Sequence, residues 1–319
     1  MTDKIAAHFR ESRRTSHSFQ RLKQCKGCGN FSALWSDRCL QCGAEGRFLE
    51  LAELSRVIVR RSAQRDMLLI GAASLTAMLF ARDMTGMAVS LLAGAALAAA
   101  YYFIRKPYLS VLRKRMIQEL LEREDRAIRD GLLRDIEDAA SDLKADDFKL
   151  AYEKLREVGY LVAGNQVKML KLMCLNHFNL RKDMDLELGT LVPDDFEPEF
   201  IRYLFEVSRV SPELVKRNVI DYTLRYRMEI EALAGGRAVI GAVVIATLRV
   251  NAYVVQYQRL IADYIDELPR ERLLRLFRLT SGQPAAYPEL APKVAETANR
   301  KYGSDPEFQG PAASPAAAP

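Results

Sequence analysis

The chain has 319 residues, 47 Lys+Arg against 41 Asp+Glu, and 49% hydrophobic residues. Those averages exclude a collagen, a mostly disordered chain and a disulfide-dense secreted mini-protein. They do not exclude a membrane protein, because one short apolar block can hide inside a polar chain.

The net +6 is unevenly placed. Residues 1–66 hold 13 basic and 7 acidic residues, 67–104 hold one of each, 105–231 hold 23 and 25, and 232–319 hold 10 and 8. Residues 1–24 read as a basic leader, with Lys4, Arg10, Arg13, Arg14, Arg21 and Lys23. Such a segment suits an anionic partner, either lipid head groups or nucleic acid.

Four of the five cysteines form two knuckles, Cys25-Lys26-Gly27-Cys28 and Cys39-Leu40-Gln41-Cys42, ten residues apart. Two C-x2-C pairs supply four thiolates, a ligand set that suits tetrahedral Zn2+ and leaves no open position for catalysis. Gly27, Gly29 and Gly43 fall where a knuckle calls for positive φ. One structural zinc ion would supply most of the folding energy of a module too small for a core, residues 25–50. It also requires reduced thiols, hence a reducing compartment. The ending Cys39-Leu40-Gln41-Cys42-Gly43 resembles the four-cysteine zinc-ribbon families, including those of bacterial-type membrane proteins. The resemblance covers residues 25–43 and implies a metal-held ribbon, with no activity attached. The fifth cysteine, in Cys174-x-x-His177, reads as core packing on a helix.

Residues 51–66 read as a basic juxtamembrane linker. The next 38 residues, 67–104, contain only Arg82 and Asp83 as charges. As one helix they would run ~57 Å, far beyond a ~30 Å hydrocarbon core. Two membrane spans, 67–82 and 86–104, turning at Arg82–Gly86, fit better. Arg56, Arg60, Arg61 and Arg65 precede the block, and Arg105, Lys106, Arg113, Lys114 and Arg115 follow it. By the positive-inside rule both flanks face the cytoplasm, where they would meet anionic head groups. The expected location is an integral membrane protein of the bacterial inner membrane with both termini cytoplasmic. Gly86, Ser90, Gly94 and Ala98 on the second span, and Ala73, Ala77 and Ala81 on the first, recur at four-residue spacing. That pattern permits close helix packing, within the hairpin or between copies in an oligomer.

Beyond the block the chain reads as all-α. Residues 105–145 form a charged stalk helix, and 146–302 a cytoplasmic helical domain, a bundle or an α-solenoid. Asp146 or Asp147 caps a helix through Glu157. Further helices are expected at 165–178 and 182–191, with Pro198 and Pro212 in the first turns of the next two. Residues 237–268 fit one long apolar stripe whose run Ala238–Leu248 is too short to span, so it reads as a core helix. Residues 270–280 form a basic amphipathic helix, and 303–319 a disordered Pro/Ala-rich tail. Residues 140–155 resemble half a tetratricopeptide repeat, which implies at most a protein-binding concavity.

No P-loop, nucleophile elbow, dinucleotide fingerprint or H-E-x-x-H motif occurs, and only three histidines are present. The expected fold is mainly α: a small four-cysteine zinc ribbon, a two-helix membrane hairpin and an all-α domain. The expected function is non-enzymatic, a membrane-anchored adaptor that binds protein partners. The alternative is a membrane-tethered ribbon that binds nucleic acid.

Overall fold

The computed structural model describes residues 4–81 and 83–308. The chain is mainly helical and divides into two compact units. A hairpin unit holds residues 11–145 and 153–162, and a helical unit holds 4–10, 146–152 and 163–308.

The hairpin unit opens on a three-stranded antiparallel sheet, β1 (Lys23–Cys25), β2 (Phe31–Ser32) and β3 (Phe48–Glu50), in the order β2-β1-β3. Lys23 pairs with Ser32 on one side and Glu50 on the other. The helix α1 (Leu51–Leu79) follows β3 without a linker. Residues 51–66, read from the sequence as a linker, are therefore the first turns of α1. Leu51, Ser55 and Val59 share one face at four-residue spacing and are all buried. This is the part of α1 that touches β1 and β3.

Helix α2 (Met84–Arg123) returns antiparallel to α1. Ser74 Oγ donates to the Ser90 carbonyl at 3.2 Å, and a Cβ on Gly94 would collide with Ser74, whose own Cβ would lie 2.6 Å away. Ser90, Gly94 and Ala98 lie on the half-buried face of α2, whereas Gly86 sits at the turn, 3.3 Å from Ala81 Cβ by the same construction. On α1 the half-buried stripe is Ile70, Ser74 and Met78, while Ala73 and Ala77 point outward. Within the hairpin, then, only Ala81 of the alanine ladder expected on the first span faces α2, and the larger stripe Ile70, Ser74 and Met78 fits against its glycine and serine. At the base of the pair, Arg105 donates to the Val59 carbonyl at 2.8 Å and to Asp66 at 3.1 Å, and Asp66 accepts from Tyr101 Oη at 2.6 Å.

One described helix, α2, is long and apolar enough to cross a membrane. The apolar part of α1, residues 67–79, covers only ~20 Å. Both helices leave large apolar side chains uncovered at the turn, with Leu79 at 84%, Phe80 at 83% and Met84 at 84% exposure. Arg82 lies outside the described residues. Helix α2 runs through Pro107, so stalk and second apolar stretch are one element. The stalk breaks at Glu124, where ψ turns to 16°, and α3 (Asp125–Lys144) follows. Ile128, Leu132, Ile136 and Ala139 form the buried stripe of α3.

Helix α4 (Phe148–Gly159) is capped by Asp147, whose Oδ1 accepts from Leu150 N at 3.1 Å. Gly164 precedes α5 (Asn165–Leu175). The helix expected over 182–191 is replaced by turns and a single 3-10 turn, Gly189–Leu191. Here Lys171 holds Glu187 at 2.9 Å and Tyr203 Oη donates to the Glu187 carbonyl at 2.7 Å, so side chains replace the helical ladder. Pro198 stands at the first turn of α6 (Pro198–Val210), and Pro212 begins a 3-10 turn rather than an α-helix. The short helices α7 (Arg217–Arg225) and α8 (Arg227–Ala232) then lead to α9 (Gly236–Thr247).

The single helix expected over 237–268 is divided. After α9 come α10 (Asn251–Gln256), α11 (Gln258–Asp263) and a 3-10 turn. The apolar stripe is real, with Ile240, Val243, Val244, Val254, Ile261 and Tyr264 all buried. The breaks at Val250 and Tyr257 re-aim that stripe so that it wraps the core. Helix α12 (Arg270–Gly282) packs on α13 (Leu290–Tyr302), and its Leu273 and Leu276 are buried. Residues 303–308, expected in the disordered tail, are ordered. Phe308 stacks on Tyr302 at 4.9 Å, and Arg270 reaches Asp305 and Glu307 at 2.5 and 2.6 Å. The rest of that tail, 309–319, lies outside the described residues.

Candidate metal centre

The four knuckle cysteines converge. Cys25 and Cys42 Sγ lie 3.7 Å apart, Cys28 and Cys39 Sγ 3.6 Å, and all four sulfurs fall within 4.8 Å of one another. A tetrahedron with ~2.3 Å Zn–S bonds has S···S edges of about 3.8 Å. The donor set and its spacing therefore suit a tetrahedral thiolate-bound ion such as Zn2+.

Local backbone chemistry brings the sulfurs together. Gly29 N donates to the Cys25 carbonyl at 2.9 Å and Gly43 N to the Cys39 carbonyl at 2.8 Å, closing both knuckles alike. Gly29 and Gly43 adopt φ of 78° and 69°, which a side chain would strain. Gly27 does not share that conformation, and a Cβ there would make ordinary contact with Cys25 Sγ at 3.7 Å. The expectation of positive φ at Gly27 is corrected accordingly. Cys25 and Cys39 are buried, while Cys28 and Cys42 are exposed. Burial opposes the Cys25 thiolate, but backbone N–H groups of Cys28 and Gly27 and the neighbouring thiols outweigh it and bring its pKa down to about 7. Burial pushes Cys28 up to about 12, and the adjacent thiols add to that rise. A bound cation would favour the thiolate at all four.

The centre is seated on α3. Asp135, fully buried, accepts from Ala33 N at 2.7 Å and from Ser32 Oγ at 3.0 Å. Arg134 Nη1 donates to Asn30 Oδ1 at 2.7 Å. Gly131 lets the Phe31 backbone approach so closely that an added Cβ would lie 2.9 Å from the Phe31 carbonyl carbon. Burial raises the Asp135 carboxyl to about 6. The hydrogen bonds from Ala33 and Ser32 and the charge of Lys23 limit the rise, and Asp138 adds to it. No motif announces Asp135. The only sequence signal was a lone Asp on the apolar face of an amphipathic helix.

The remaining candidate residues separate by environment. Arg56, Arg60, Arg61, Arg65, Lys106, Arg113, Lys114 and Arg115 are exposed along α1 and α2. Arg105 is not part of that set, because it turns inward to Asp66 and Val59. In the leader, Arg13 pairs with Glu50 at 2.8 Å, Arg21 pairs with the nearly buried Glu157, and Lys23 donates to the Ser36 carbonyl. Cys174 is buried, with its thiol pushed up to about 12, and His177 stacks on Phe148 at 3.8 Å, as core packing would have it.

No family model, curated protein or solved structure matches this chain.

Proposed function

We propose that the protein is a membrane-anchored, non-catalytic scaffold whose metal ribbon locks the base of a membrane hairpin. Both α1 and α2 enter the bilayer, with the short apolar stretch of α1 met by snorkelling arginines and local thinning. The ribbon and the helical unit face the cytoplasm, and the helical unit binds protein partners.

The observation that carries this reading is the seat of the ribbon. It contacts α1 through the buried face Leu51, Ser55 and Val59 and contacts α3 through Asp135, Arg134 and Gly131. A metal site there ties the chain entering the hairpin to the chain leaving it. The contact requires both flanks on one side of the bilayer, the side that the flanking arginines also indicate. Several leader cations are engaged within the protein, which favours this reading over nucleic-acid binding.

The test uses Thr85→Cys and Ser304→Cys variants in intact bacterial cells with a membrane-impermeant maleimide. Labelling at Thr85→Cys only, with the chain retained after alkaline carbonate extraction, supports the hairpin. Release by carbonate or labelling at Ser304→Cys overturns it. The scaffold role is tested with a photocrosslinker replacing Met228, at 73% exposure the most exposed large apolar residue described in the helical unit. One discrete protein adduct supports the role, and its absence counts against it.

A further inference from the structure

The helical unit pairs its arginines with carboxylates in most places. Arg227 reaches Asp263 at 2.6 Å, Arg259 reaches Glu289 at 2.7 Å, and Arg270 reaches Asp305 at 2.5 Å. Arg237, Arg278 and Arg300 likewise find Glu267, Glu307 and Asp266.

One cleft departs from this pattern. A cavity of about 280 Å³ is walled by Arg209, Arg249 and Arg272, with Ala242, Ile245 and Pro212 as its apolar surface. Arg209 lies in the last turn of α6, Arg249 just beyond α9, and Arg272 in the first turn of α12. Among the described residues, Arg249 and Arg272 meet no carboxylate, and Arg209 meets only the Phe205 ring, 5.4 Å from its centroid. Three guanidinium groups from three separate elements thus line one cleft, Arg209 and Arg249 exposed and Arg272 half-buried, without an ion pair among the described residues. On α12 the contrast is local, since Arg270 and Arg278 pair with the C-terminal acids while Arg272 lines the cleft.

We propose that this cleft is a binding site for a phosphoryl group, taken by a compact phosphate ester. A phosphate monoester carries nearly two negative charges at neutral pH, against one for a carboxylate. Guanidinium forks match its oxygens in paired hydrogen bonds. The volume lies just below the ~300–1,000 Å³ of drug-sized pockets, which favours a phosphoryl group with a small substituent over a nucleotide. Two sources share this chemistry: the phosphomonoester head group of a phosphatidic acid and a soluble phosphate monoester. The site lies within the helical unit and does not depend on the membrane reading.

The experiment uses the full chain in a neutral detergent, with thermal unfolding and titration calorimetry. The probes are inorganic phosphate, glycerol 3-phosphate, dihexanoyl phosphatidic acid and, as a zwitterionic control, dihexanoyl phosphatidylcholine, all at constant ionic strength. The wild-type chain is expected to gain thermal stability with the anionic probes. The double variant Arg249→Gln/Arg272→Gln is expected to lose at least ten-fold in affinity, the effect of losing charge-assisted hydrogen bonds. Arg225→Gln, which removes an unpaired arginine outside the cleft, is expected to respond like wild type. Tighter binding of the phosphatidic acid than of glycerol 3-phosphate assigns the site to a head group, and equal or weaker binding assigns it to a soluble ester. The proposal is overturned if wild type shows no response beyond the control lipid. An undiminished response in the double variant, with unchanged circular dichroism, also overturns it.

Discussion

The Asp135 carboxylate on α3 accepts a hydrogen bond from the Ala33 amide at 2.7 Å across 102 positions of sequence. It joins the metal ribbon to a helix on the other side of the apolar hairpin, and it does so while fully buried. Its second partner, Ser32 Oγ, also accepts from Leu34 N at 3.1 Å, so one carboxylate organises the whole β2 turn.

Removing that acceptor exposes its worth. Asp135→Ala leaves the buried Ala33 amide without a partner, a loss of about 1–3 kcal/mol. Asp135→Asn keeps a carbonyl for Ala33 and an NH2 group that can donate to Ser32 Oγ, so its stability at pH 7 is expected to match or exceed wild type. Denaturant unfolding followed through Trp35, the single tryptophan, reads both variants. Equal losses in the two would refute the assigned hydrogen bonds.

The same carboxyl sets a pH dependence with a definite sign. Its folded pKa is about 6 against an ordinary 3.8, so between those values the folded state binds more protons than the unfolded one. Stability from this group is therefore fullest below pH ~4 and is lost as pH rises through ~6, by about 3 kcal/mol in all. Lys23 and Asp138 face the group and act in opposite directions on it. Comparing wild type with Asp135→Asn at pH 4.5 and 7 should show the wild type losing relative stability at the higher pH. A difference independent of pH would contradict the raised pKa.

The metal prediction is stoichiometric. One Zn2+ per chain is expected by elemental analysis, and Cys25→Ser or Cys39→Ser should abolish it. An apparent contribution of about 10 kcal/mol or more means that chelation should unfold the ribbon and shift Trp35 emission to the red. Full zinc occupancy in Cys25→Ser would remove the four-cysteine assignment.

Gly131→Ala tests the close approach of α3 to the ribbon. Its methyl would lie 2.9 Å from the Phe31 carbonyl carbon, so the ribbon must lift, at about 1–3 kcal/mol. Zinc content should stay at one while proteolytic cleavage near residues 28–45 accelerates. Unchanged cleavage would mean that the ribbon does not sit on Gly131.

Arg105→Ala removes the tie from α2 to Val59 and Asp66 at the base of the hairpin. It is expected to destabilise the pair more than Lys106→Ala, because Lys106 is exposed and Arg105 is not. Thermal unfolding in detergent ranks the two. The reverse order would return Arg105 to the lipid-facing set.

Residue order alone marked the four cysteines whose sulfurs the fold brings within 4.8 Å of one another, because two C-x2-C knuckles form from local turns and bring their own glycines. It also determined the helical class and the apolar block, since periodicity and hydropathy are local properties. The boundaries failed where tertiary contacts override local pattern. Residues 182–191 gave up a helix to the Glu187 contacts with Lys171 and Tyr203, and the 237–268 stripe broke at Val250, Tyr257 and Tyr264 to follow a curved core. Charge counting placed Arg105 among the lipid-facing residues, yet Asp66 and Val59 turn it inward. Only the folded chain brought Asp135 to Ala33 and left Arg209, Arg249 and Arg272 around one cleft. No spacing encodes either relationship, because each joins residues from separate elements whose proximity is set by how the helices pack.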